Sequence, residues 1–313
     1  MPTAITLFSG CGAASLGLQQ AGYTNLLAVE WDKNAANCYK LNFPKIPLYQ
    51  GDIRNLSIPE IGKLSGIKAK KQLDLLQASP PCQGFSVQGK FDAQDKRNYL
   101  YQEVIRITRA LLPKFVVIEN VKGMVMSKMA PLYLDMTSQL RKIGYKVHGE
   151  IMNAAYFGAH QSRERVIVVA VREDFGIEAT LPQPQTLPKT FRETIYNFKP
   201  SFLEPRNELT PYRRARWEIL KPGDEADKLY GWYRHSHVKF DWDSICNTLV
   251  ATDSSIPMHP DEPRRLYIEE MAILSGFPKD FIFTGNRFEQ VRLVGNCLPA
   301  PLMKAIGKHL NNS

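Results

Sequence analysis

Long apolar runs are missing from this chain. None approaches the roughly 20 consecutive residues that a membrane span requires, and the opening stretch MPTAITLFSG has neither the basic start nor the small-residue cleavage site of a secretory signal. The chain is therefore read as cytosolic, with no membrane partner. Cysteine is scarce too: Cys11, Cys38, Cys82, Cys246 and Cys297 stand without CxxC spacing, which fits neither a disulfide framework nor a zinc site and leaves free thiols. His235 and His237 could share one strand face, but no third ligand accompanies them, so no metal is expected. No GxxxxGK[ST] occurs, so no lysine is placed to hold a nucleoside triphosphate.

What is present is a chain of 313 residues, 44% hydrophobic and 23% charged. That suits a globular protein with one large domain, or a large and a small one. Forty Lys and Arg against 31 Asp and Glu give a net charge of +9, which suits a polyanionic partner without proving one.

ITLF (5 to 8) and LLAVE (26 to 30) are apolar runs of strand length. Between them SGCGAASLGLQQAG reads as a glycine turn opening a helix that stops at Gly22, which makes a βαβ unit. LDLLQAS (73 to 79), FVVIEN (115 to 120) and RVIVVAV (165 to 171) continue the strands. Helically spaced segments between them stop at Pro113 and Gly144, and such alternation predicts a mostly parallel α/β sheet covered on both faces. Ligands of such sheets sit at the carboxyl ends of the strands, where Gly10, Glu30, Cys82 and Glu119 are expected.

The turn FSGCG (8 to 12) has glycines that let backbone approach a ligand. Glu30 ends the next strand about 20 residues on, where a carboxylate can accept from ribose hydroxyls. Trp31 could stack on adenine, and Asp52 is a further polar candidate, so the ligand reads as an adenosine compound without a triphosphate. In ASPPCQGFS (78 to 86) the prolines Pro80 and Pro81 fix two φ angles and hold Cys82 at a rigid corner. QSRERVIVVA places Gln161, Arg163 and Arg165 on one face of a strand. After the proline-punctuated LPQPQTLPKT, aromatic and basic residues interleave in YRRARWEILKPG and LYGWYRHSHVKFDW, a composition suited to gripping nucleic acid.

In this order the segments resemble the cytosine-5 DNA methyltransferase family. LFSGCGAASLGLQQAG is similar to its cofactor loop, SPPCQGFS to its nucleophile loop, ENV (119 to 121) to its glutamate motif and QSRERV (161 to 166) to its paired-arginine strand. RRLYIEEMAILSGFP (264 to 278) and VRLVGNCLPAPLMKAIGKHL (291 to 310) resemble its last two motifs. The chain departs from the pattern at Thr6, where aspartate is common, at Ala13, where a second glycine is common, and in GNCLPAP.

The resemblance implies a doubly wound, Rossmann-like S-adenosylmethionine-dependent methyltransferase sheet with a second, smaller target-recognition domain. Residues 1–185 and 287–313 would form the catalytic domain and 186–286 the recognition domain, with the final helix folding back beside the first strand. It implies that Cys82 attacks C6 of an extruded cytosine, that Glu119 and Arg165 hold the ring, and that Arg163 supports them. S-adenosylmethionine would lie among Phe8, Gly10, Gly12, Glu30, Trp31, Asp52, Ile53, Leu100 and Asn296. Ser86 and Arg97 would meet phosphates of double-stranded DNA, and Gln88 the space the base vacates, on a loop (84 to 98) that closes over the nucleophile. A monomer in the bacterial cytoplasm is expected, with a restriction endonuclease acting separately as a compatible partner. Rival readings are a transfer-RNA methyltransferase of the same fold, a silent DNA-binding module and a dinucleotide-dependent oxidoreductase.

Overall fold

The computed structural model describes residues 1–81, 96–126, 130–201, 208–224, 238–253 and 257–313. Cys82, Ser86, Gln88, His235 and His237 lie outside the described residues, as does most of the expected closing loop.

Strands β1 (Thr3–Leu7), β2 (Thr24–Glu30), β3 (Leu48–Gln50), β4 (Leu75–Ala78) and β5 (Phe115–Val121) alternate with helices α1 (Ala13–Gln20), α2 (Lys33–Asn42), α3 (Ile58–Ser65) and α4 (Tyr101–Leu111). Helix α5 (Ala130–Lys142) then leads to β6 (Tyr145–Asn153), the short β7 (Gln161–Ser162) and β8 (Glu164–Arg172). The seven-stranded sheet runs β3-β2-β1-β4-β5-β8-β6. All its neighbours pair in parallel except β8, which is antiparallel to both β5 and β6. The strand read from RVIVVAV is thus present but reversed. β6 is a half-exposed edge strand carrying Lys146, His148 and Glu150, a pattern that the search for apolar runs passes over.

The central strands are buried on both faces, so they read as continuous apolar runs rather than alternating ones. One face packs Leu7, Leu27, Leu76, Val116 and Val168 under α3, α4 and α5. The other packs Ala4, Leu75, Phe115 and Val169 under α1 and the final helix, α10 (Ala300–Asn311). The last helix therefore lies on α1 and shares an apolar cluster with Ala4 of β1. Glycine decides that approach: a Cβ on Gly17 would come within 2.4 Å of the Ala300 carbonyl, and one on Gly307 within 2.8 Å of Ala21 Cβ.

Among the described residues the remaining α-helices are α6 (Phe191–Ile195), α7 (Pro211–Ile219), α8 (Ile268–Leu274) and α9 (Arg287–Asn296); β9 (Cys246–Asn247) pairs with β7. Phe191, Phe240, Leu249, Leu266, Met271, Val291 and Val294 form one apolar cluster. The border expected between residues 286 and 287 runs through it, because α9 packs on both sides of that border. Among the described residues no helix is long and apolar enough to cross a membrane.

Candidate active site

Sheet direction brings the candidate catalytic pair together. β5 ends at Val121 and antiparallel β8 begins at Glu164, so Val121 faces Arg165 and Glu119 faces Ile167 in register. Glu119 and Arg165 are two positions apart on one face, and Arg165 Nε lies 3.1 Å from Glu119 Oε1. Both side chains are largely shielded, 13% and 9% exposed, a setting in which removing either partner would leave a buried charge unpaired. Next to them Asn120 Nδ2 donates to the Pro80 carbonyl at 3.2 Å, and Ser79 N donates to the Leu7 carbonyl. The chain entering Cys82 is thereby tied to both neighbouring strands.

Arg163 turns the other way. Its Nη1 donates to the Leu249 carbonyl at 3.0 Å and its Nη2 to the Gly295 carbonyl at 2.6 Å. The guanidinium is 1% exposed, and burial, with Arg165 nearby, pushes its pKa down to about 9. It joins the start of β8 to the segment after β9 and to the end of α9. Gln161 acts in parallel, with Nε2 donating to Ser275 Oγ and Oε1 accepting from Leu249 N, while Thr248 Oγ1 donates to the Ser162 carbonyl at 2.6 Å. Thr248, Leu249, Ser275 and Gly295 were not singled out in the sequence, because the carbonyls of Leu249 and Gly295 leave no trace in residue type and a lone Thr or Ser hydroxyl gives no sign of its partner.

Most of the residues expected around a cofactor gather beyond β1, β2 and β3. Glu30 is the hub: its Oε2 accepts from Gly10 N at 2.8 Å and its Oε1 from Trp31 N and Asp32 N at 2.9 and 2.8 Å. Burial raises its pKa, against the lowering effect of those three donors. The turn it holds is strained, with Phe8 at φ 56° beside Gly10 at 57° and Gly12 at 102°, and positive φ in a bulky residue is rare outside functional turns. The two glycines differ. A Cβ on Gly12 would meet the Phe43 ring at 2.3 Å, whereas one on Gly10 would meet nothing within 4 Å. Gly12 therefore serves packing, and Gly10 borders open space.

Trp31 beside this turn is 74% exposed. Gly51 N donates to the Glu30 carbonyl, bringing Asp52 near, although Asp52 also receives Arg54 Nε at 3.0 Å, and that hydrogen bond lowers its pKa. Ile53 is buried in the same apolar face against which Phe8 and Leu100 pack. Asn296 is exposed at the end of α9, and α9 is brought to this side by Arg292 on Asp32 and by Cys11 packed with Leu293 and Cys297. Thr6, at the position where the family pattern has aspartate, shares a hydrogen bond with Ser15, which also accepts from Tyr39. Arg97 is exposed on the single turn Lys96–Tyr99.

The model of the C-5 cytosine-specific DNA methylase family matches residues 3–312. Type II methyltransferase M1.HphI of Haemophilus parahaemolyticus is 33% identical over 327 residues, spanning 98% of this chain and 86% of that protein. Type II methyltransferase M.Sau96I of Staphylococcus aureus is 31% identical over 327 residues, spanning 97% of this chain and 74% of that one. The crystal structure described as a DNA modification methyltransferase encoded within an E. coli prophage superimposes with a TM-score of 0.84 at 25% identity, covering 100% of this chain and 99% of that one. Spodoptera frugiperda DNMT2, at 18% identity and a TM-score of 0.74 over 99% of this chain and 100% of that one, shares the fold.

Proposed function

The chain belongs to the C-5 cytosine-specific DNA methylase family and is a DNA cytosine-5 methyltransferase, and from that premise we propose that it methylates a cytosine turned out of a specific duplex sequence, through a covalent bond between Cys82 and C6. One observation carries the reading. The Glu119 and Arg165 pair, 3.1 Å apart, stands at the end of β5 where Asn120 ties down Pro80, two residues before Cys82.

Cytosine C5 is a weak carbon nucleophile, and adding a thiolate at C6 turns the ring into an enamine whose C5 can attack. The addition pushes electrons toward N3. The Glu119 carboxyl, hydrogen-bonded to N3 and the 4-amino group, stabilises that change, while Arg165 orients the carboxylate and takes O2. Arg163 supports the strand from behind. C5 and C6 are hidden in a stacked base, so the cytosine leaves the helix at a cost of a few kcal/mol, with Ser86 and Arg97 on phosphates and Gln88 in the vacated space.

S-adenosylmethionine, when bound, supplies an electrophilic methyl group. The open space over Gly10 and the residual acceptor capacity of Glu30 fit its ribose side, with Phe8, Gly12, Trp31, Asp52, Ile53, Leu100 and Asn296 around it. Residues 186–286 read the DNA sequence, and 1–185 with 287–313 carry the chemistry. The enzyme acts as a monomer in the bacterial cytoplasm, with a restriction endonuclease of the same target working separately.

The test is a duplex carrying 5-fluorocytosine at the target. The C5 hydrogen must leave as a proton before sulfur can depart, and fluorine cannot leave as a cation, so a stable adduct should form only when S-adenosylmethionine is present. Cys82→Ser should lose the adduct and nearly all activity, and Glu119→Gln should slow trapping strongly while keeping the fold. Mass spectrometry placing the cross-link on Cys11, Cys38, Cys246 or Cys297, or finding none at a site that is otherwise methylated, would overturn the mechanism. Methylation of transfer RNA in preference to duplex DNA would overturn the substrate.

A further inference from the structure

Away from Glu119 and Arg165 lies a cavity of about 320 Å³ that the reaction does not use, bordered by Tyr196, Phe198, Trp242, Asp261, Glu262 and Tyr267. Its size falls in the range of small-ligand sites. Its walls are rings set at right angles: Tyr196 and Trp242 lie 5.5 Å apart at 77°, and Trp242 and His259 5.3 Å apart at 87°. Their positions are fixed by polar contacts. Trp242 Nε1 donates to Asp261 Oδ2 at 3.0 Å, and Arg264 holds Glu262 at 2.7 Å and Glu270 at 2.8 and 2.9 Å.

Aromatic faces of this kind stack any nucleobase. The carboxylates Asp261 and Glu262 are acceptor-only groups, so they favour a base that presents an exocyclic amine, as adenine and cytosine do, over thymine, which presents a carbonyl oxygen at that place. They also disfavour a bare phosphate inside the cavity. Cations instead stand over rings of the wall. Arg192 lies 5.8 Å from the Tyr196 centroid and 5.5 Å from that of Trp242, and Lys279 lies 5.4 Å from that of Phe198. Both are exposed, where a phosphodiester backbone can reach them.

We propose that this cavity holds an unpaired, amine-bearing nucleobase of a DNA strand, stacked on Tyr196 with its edge toward Trp242 and accepted by Asp261 and Glu262, as a second base site separate from the catalytic one. The proposal rests on the reading of the chain as a DNA methyltransferase. Fluorescence anisotropy of short labelled single strands of deoxyadenylate and of thymidylate tests it on the full chain, with S-adenosylhomocysteine saturating the cofactor site so that adenine cannot enter there.

The deoxyadenylate strand should bind about tenfold more tightly than the thymidylate strand. Asp261→Asn, which can still accept from Trp242, should cut that preference to about threefold or less. Tyr196→Ala, at a position 61% exposed and so tolerant of truncation, should weaken both strands about tenfold. Equal affinity for the two strands, or a preference that survives Asp261→Asn, would sink the second site. Neither strand is a duplex substrate, so methyl transfer to duplex DNA by the unmodified chain judges the enzymatic reading separately.

Discussion

With its two Nη atoms on the carbonyls of Leu249 and Gly295, the Arg163 guanidinium is committed to the protein, whereas Arg165 two residues on meets Glu119. Arg163→Met should orphan both buried carbonyls and lower stability by about 3 kcal/mol, since each unsatisfied buried group costs about 1–3 kcal/mol. Chemical denaturation reads this directly; unchanged stability with lost activity would move Arg163 onto the substrate. Glu30→Ala should weaken S-adenosylmethionine binding by about 1.5–3 kcal/mol, and it also frees the Gly10 N–H that holds the turn. Unchanged affinity by calorimetry in a folded variant would remove Glu30 from the site. Glu119 and Arg165 could be singled out as a candidate pair in the sequence because the proposed chemistry dictates residue type, and the fold brings the two together. The division of labour between the arginines was not legible, because alternation places both on one strand face and says nothing of the carbonyls that one of them finds.

At the scale of elements, five of the seven sheet strands could be read from apolar runs. The missed ones explain themselves: β3 is three residues long, and β6 carries charge along an exposed edge. Direction was not legible either, since an apolar run is the same read forward or backward, yet the reversal of β8 is what sets Arg165 beside Glu119. The α1 and α10 packing gives a sharp test. Gly17→Ala sets a methyl 2.4 Å from the Ala300 carbonyl, and overpacking of backbone costs about 1–3 kcal/mol; an unchanged melting temperature would show that the helices separate freely. The segment before α8 adds a pH dependence. His259 Nδ1 accepts from Asp261 N and Glu262 N at 3.3 and 3.2 Å, and burial, then Arg264, lowers its pKa from the ordinary 6.5. The unfolded chain takes this proton near pH 6.5 and the folded chain only at lower pH, so its contribution is intact above that value and is lost as pH falls below it. Melting curves from pH 7 to pH 5 should therefore drop less for His259→Asn than for the unmodified chain, and parallel curves would refute the assignment.

The whole molecule carries nine more basic than acidic side chains, and several carboxylates are consumed internally. Asp253 takes Arg265 and Arg287, Asp174 takes Lys71 and Arg172, and Asp32 takes Arg292. The excess is cationic, and helix α7 displays part of it: Arg214 is exposed there and Arg216 half-buried, with Arg216 stacked 4.1 Å from the Tyr212 centroid. The border expected between residues 286 and 287 finds no gap in the packing, because α9 serves apolar clusters with members on both sides of it. Charge count nevertheless makes a definite prediction at this scale. Each phosphate neutralised releases condensed counterions, so the logarithm of DNA affinity should fall linearly with the logarithm of salt, and six or more phosphate contacts would lose about a thousandfold between 50 and 200 mM. Replacing Arg214 and Arg216 by alanine should flatten that slope by roughly one or two contacts while leaving S-adenosylmethionine affinity unchanged. A slope identical to that of the unmodified chain would take α7 off the DNA and leave the cationic excess to other surfaces of the segment.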